Sequence, residues 1–89
     1  GQTGDPAQLR AAVEANPKDN QARFDLSLAL FARGDAEGAI DELLELVRRD
    51  KAWNDEAGRK QLVKIFDTLG GAHELTMSGR RRLSSVLFS

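Results

Sequence analysis

The tripeptide Arg33-Gly34-Asp35, set between two apolar-periodic segments, constrains this chain more than any other feature. Glycine enters the left-handed backbone region without steric cost and so stops a helix, and an aspartate just after it caps the next one. The preceding segment, about 20–33, starts behind a capping Asp19. It carries Phe24, Leu28 and Phe31 on one face and Ala22, Leu26, Ala29 and Leu30 on the opposite face. A helix apolar on two sides is sandwiched between others, so this is the expected central helix. The following segment, about 36–49, has a single stripe of Ala36, Ala39, Ile40, Leu43, Leu44 and Val47, with Glu37, Asp41, Glu45 and Arg48 opposite. Helices joined by so short a turn lie antiparallel, and Ala39 is small enough to let the two backbones approach.

Three further helices are expected around this hairpin. Asp5-Pro6 opens the first, with Pro in the first turn, and Asn16-Pro17 closes it because the residue before proline avoids the α region. Asn54 is expected to cap a fourth helix over about 55–69, whose apolar residues are Leu62, Ile65, Phe66 and Leu69. Asp55 and Glu56 in its first turn suit the helix dipole, and Gly70-Gly71 stops it. A last helix over about 76–88 carries Leu83, Val86 and Leu87. Nothing alternates with a period of two, so no strand is expected. The fold class is all-α, with about five antiparallel helices. In 89 residues they share one core and one domain.

Composition narrows the function classes. The chain has no cysteine, so thiolate metal sites, disulfides and thiol chemistry are excluded. One histidine, His73, cannot make a multi-histidine metal site, and no phosphate-cradling glycine loop follows a strand. His73, Asp67 and Ser78 or Ser84 are the only ingredients for a catalytic triad, and nothing in their spacing holds them together. We therefore expect no enzyme, no cofactor and no metal. The apolar runs are too short to span a membrane. With no signal peptide, this gives a cytoplasmic expectation. Residues 1–45 hold nine acids and four bases, and residues 46–89 hold five acids and nine bases, so the halves carry −5 and +4. Such a layout suits an oriented contact with a protein partner or a neighbouring domain.

The stretch Ala22 to Asp50 resembles one tetratricopeptide repeat, through Leu26, Ser27, Leu30, Gly34, Asp35, Ala39, Ile40, Leu43 and Asp50. It departs at Leu46, where the repeat usually has Ala, and at Lys51, where it often has Pro. Residues 5–18 look like the second helix of a preceding repeat. Further on, Arg49-Asp50, Trp53, Ala57, Arg59-Lys60, Leu62, Phe66, Leu69-Gly70, Arg80 to Arg82 and Leu87-Phe88 resemble the C-terminal region of bacterial thioredoxin-like co-chaperones, the YbbN or CnoX group. That resemblance implies a fragment of a longer protein, preceded by a thioredoxin-fold domain. It also implies a holdase that receives unfolded clients and works with the chaperonin and Hsp70 machines. The alternative is a structural module, self-associating or packed against the missing domain without touching clients.

The candidate contact residues follow from exposure arguments. Phe24, Leu28 and Phe31 occupy the concave side of the first repeat helix and form a groove for client segments if open. A chain this small needs its aromatics inside, which favours their burial. Trp53 is expected to clamp the junction between the third and fourth helices. Arg59 has Glu56 at i−3 and Asp55 at i−4, so a local ion pair competes with partner contact. Arg80, Arg81 and Arg82 fan out at 100° per residue and cannot form the one-sided basic patch of a nucleic-acid reader. One is expected to hold a carboxylate at the core edge and another to face a partner. The closing stripe of Leu83, Val86 and Leu87 is the patch expected to be partly exposed and to take the client, because chain ends have fewer neighbours. Leu87-Phe88 at its end is a docking peg or a frayed tail.

Overall fold

Asp19 and Asp35 each sit just before a helix and accept a hydrogen bond from the amide three residues on, Ala22 at 3.0 Å and Gly38 at 2.8 Å. Those two caps define the central hairpin of the computed structural model, which describes residues 4–89. Its helices are α1 (Pro6–Ala15), α2 (Asn20–Ala32), α3 (Ala36–Arg49), α4 (Trp53–Leu69) and α5 (Glu74–Leu87). No strand occurs among the described residues. Gly34 takes φ 89° and closes the α2–α3 turn, with the Asp35 amide donating to Leu30 O at 2.9 Å. At the other end of the pair, Asn20 Nδ2 donates to Asp50 Oδ2 at 3.1 Å, so α2 and α3 are antiparallel.

The hub is α3, not α2 as the two-sided pattern of α2 suggests. α3 packs against α2, α4 and α5, whereas α2 packs against α1 and α3. The reason is Leu46, which lies off the main α3 stripe yet is fully buried. It reaches α4 at Gly58, where a Cβ would lie 2.7 Å from Leu46 Cδ2. The large residue that departs from the repeat pattern is thus matched by a missing side chain on the neighbouring helix. A second close approach joins three helices at Gly79 of α5. A Cβ there would stand 2.6 Å from the Phe66 ring of α4 and 3.7 Å from Ile40 of α3. The core formed by these contacts runs from Val13 through Leu26, Leu30, Ile40, Leu43 and Leu62 to Leu83.

The start of α4 departs from expectation. Asn54 does not cap it: Asn54, Asp55 and Glu56 take φ values of 49°, 57° and 60°, a left-handed turn just inside the helix, and no side chain caps its N-terminus. Asp and Asn tolerate this region better than most residues, but each non-glycine residue there carries a conformational cost. The carboxylates of the turn pair with bases on the helix that follows. Asp55 pairs with Lys60 at 2.8 Å and Glu56 with Arg59 at 2.9 Å. α5 starts earlier than expected, because His73 Nδ1 accepts from the Leu75 amide at 3.0 Å and serves as its cap.

Candidate protein-binding surface

α2 buries Leu26, Ser27, Ala29 and Leu30 against its neighbours and turns Phe24, Leu28 and Phe31 the other way. Ser27, fully buried, donates its hydroxyl to Phe24 O at 2.6 Å and leaves no unpaired polar group there. The outward residues are not swallowed by the core as their size suggests. Phe24 and Phe31 are half-buried against its edge, and Leu28 between them is 40% exposed. Trp53, at the start of α4, does not merely clamp the α3–α4 junction. Its ring meets Phe24 at 5.6 Å between centroids and 53° between planes, within the favoured range for tilted aromatic pairs. The two rings therefore link α2 and α4. Beside Leu28 an open groove of about 390 Å³ is lined by Gly4, Asp25, Leu28, Ala29, Ala32 and Arg33.

The side of α2 facing α1 and α3 carries a buried charge that the sequence pattern did not single out. Arg23 is 6% exposed, donates to Glu42 of α3 at 2.9 Å and to Pro17 O at 3.2 Å, and leaves its Nε without a partner. Arg10 of α1 approaches the same carboxylate at 3.7 Å, so Glu42 ties three helices. A charged residue on a mostly apolar helix face was the available signal. At the end of α3, Arg48 and Arg49 both bond Glu45. The Arg48 hydrogen bond, opposed by partial burial and reinforced by Arg49, lowers the Glu45 carboxyl from its ordinary 4.5 to about 2. These arginines are committed within the chain. A shallow pocket beside them, about 350 Å³, lies between Lys18, Asn20, Arg49 and Asp50.

The remaining candidates separate by what they touch. Arg59 is engaged by Glu56. Arg80 places its guanidinium 6.0 Å from the centre of the Phe66 ring, at the outer limit of a cation–π contact. Arg82 holds Asp41 of α3 at 2.8 Å, which makes it the arginine that takes a carboxylate. Arg81 is exposed and has no ion pair among the described residues. Leu83 is buried, Val86 and Leu87 are half-buried against the core, and Phe88 is 86% exposed. The α2 face and the α5 end thus each present apolar surface, separated from one another by the α3 hub. Among the described residues no cluster of His, Asp and Glu is placed to hold a metal ion, and no helix is long and apolar enough to cross a membrane.

A hairpin of antiparallel helices, flanked by one helix before it and a second helix pair after it, defines a helical-repeat protein. The family described as Tetratricopeptide repeat matches residues 1–88, and the chain belongs to that family. Its members are in general protein-interaction modules without catalytic activity. No curated protein and no solved structure matches the chain.

Proposed function

We propose that this chain is the C-terminal protein-binding region of a bacterial thioredoxin-like co-chaperone, and that it holds unfolded client segments on the outward face of α2. In this reading a thioredoxin-fold domain precedes it in the intact cytoplasmic protein. The resemblance of residues 49–88 to the YbbN or CnoX group supports the assignment, as does membership of an interaction family. The observation that carries the site is Leu28, 40% exposed between the half-buried Phe24 and Phe31, with Trp53 extending the apolar surface to α4. Apolar grooves on helical surfaces take the apolar face of a partner segment, anchored by side chains at helical spacing. Leu28 is the one member of the trio that can be changed without opening the core.

The test is suppression of aggregation of a thermally unfolding client. The parent chain delays aggregation when present in excess. Leu28→Glu retains its helicity and melting temperature and loses most of the protection. Should the parent give no protection, the client-holding role is wrong. Should Leu28→Glu protect as well as the parent, the role survives and the α2 face is not its site.

A further inference from the structure

Two exposed helical stripes on this molecule are complementary in both size and charge. On α2 the positions Gln21, Asp25, Leu28 and Ala32 follow one another at spacings of four, three and four, a single helix face. On α5 and its C-cap, Met77, Arg81, Ser84 and Phe88 follow at the same spacings. All four α5 positions are exposed, as are Gln21, Leu28 and Ala32, and Asp25 is half-buried. Phe88 continues the helical turn, its amide donating to Ser84 O at 3.0 Å. When the two helices run parallel in register, the small Ala32 meets Phe88, Leu28 meets the small Ser84, and Asp25 meets Arg81. Running them antiparallel sets Leu28 against Arg81 and Phe88 against Gln21, which wastes both.

We infer that the α5 stripe docks on the α2 stripe of a second copy of this chain, with Phe88 entering the groove between Leu28 and Ala32. Within one chain the pairing does not form, since α2 and α5 share no substantial packed interface and both stripes face outward. The long-range field favours the same arrangement: the −5 half contains α2 and the +4 half contains α5. Among the described residues Arg81 has no ion pair, and the one side-chain bond to the Asp25 carboxylate is accepted from Gln21 Nε2 at 2.9 Å. Phe88, 86% exposed, is the most open large apolar side chain among the described residues. The contact is heterologous, so each added copy leaves one stripe of each kind free and growth is head-to-tail. Four positions a side bury less than the roughly 1,200 Å² of a stable interface. The association is therefore weak and reversible. It does not depend on the co-chaperone reading, and its test reads mass rather than client protection.

The test is sedimentation of the chain from micromolar to millimolar concentration, at low and high salt. The weight-average mass rises above that of one chain with concentration and falls back as salt screens the Asp25–Arg81 pair. Arg81→Asp and Asp25→Arg each abolish the rise, and the two together restore it. Phe88→Ser, at a position too exposed to affect folding, also abolishes it. A parent that keeps the mass of a single chain to millimolar concentration overturns the inference. So does association that persists in all the variants, or a charge-swapped pair that stays monomeric. A monomeric chain that instead binds an unrelated amphipathic peptide across Leu28 assigns the stripe to another partner and overturns it as well.

Discussion

Glu42 and Asp41 are neighbours on α3, each paired with an arginine from another helix, and solvent separates their consequences. Asp41 and Arg82 are both about half exposed, and a pair in that setting contributes under about 1 kcal/mol. Glu42 and Arg23 have side chains 17% and 8% exposed, so removing the carboxylate strands a buried guanidinium that already lacks a partner at Nε. Glu42→Ala is expected to cost about 3 kcal/mol, the low end for breaking a buried pair, and Asp41→Ala under about 1 kcal/mol. Chemical denaturation of the two variants measures both. Equal losses would show that Arg23 finds water or another acceptor once Glu42 is gone. At this scale the caps of α1, α2 and α3 were legible, because Asp5, Asp19 and Asp35 stand directly before apolar-periodic segments. The partner of Arg23 was not legible, since a lone arginine on an apolar face signals a buried charge but not the carboxylate that meets it 19 residues later. The cap at His73 was not legible either. Its capping role depends on the tautomer and rotamer that bring Nδ1 to the Leu75 amide.

Contacts between elements depend here on where side chains are missing. The periodicity of α5 identifies an apolar stripe, but the closest approach is at Gly79, which contributes no apolar atom to such a count. Gly79→Ala would ordinarily stabilise a helix by about 1 kcal/mol. At this site the new methyl meets the Phe66 ring at 2.6 Å, and a ring wedged between α3 and α5 yields less than the end of a flexible chain. Overpacking of this kind costs about 1–3 kcal/mol, so the net effect is a lower melting temperature. A raised melting temperature in Gly79→Ala would show that α4 and α5 separate easily and that the junction is loose. The same logic explains why the sequence pattern points to α2 and not to α3 as the hub. Leu46 breaks both the stripe and the repeat pattern, and only Gly58 on the next helix shows what that leucine fills. The start of α4 differs from the expected one for a related reason. Asn54, Asp55 and Glu56 have the composition of a first helical turn and take a left-handed one instead, with Asp55 and Glu56 paired to Lys60 and Arg59.

The whole molecule is a short helical array measuring 36 × 27 × 19 Å, with α3 at its centre. This arrangement keeps the α2 face joined to Trp53 apart from the end of α5. The number of helices, their order and the repeat-like hairpin were all legible, because five runs of helical period are punctuated by Asn16-Pro17, Gly34, Asp50 and Gly70-Gly71. Which apolar residues stay open was less legible. Phe24, Leu28 and Phe31 share one face by periodicity, and nothing in a single sequence says that no neighbouring helix covers Leu28. The central claim is that this face, with Trp53 at its edge, is where a protein partner is held. Trp53 is the chain's only tryptophan, so its emission reports directly on that face. The most direct measurement is a titration of the chain with an unfolded, tryptophan-free polypeptide while Trp53 emission is recorded. The account predicts a saturable shift to shorter wavelength as the Phe24–Trp53 surface loses water, absent in Leu28→Glu. A complex that forms, by sedimentation, while Trp53 emission stays unchanged would contradict it.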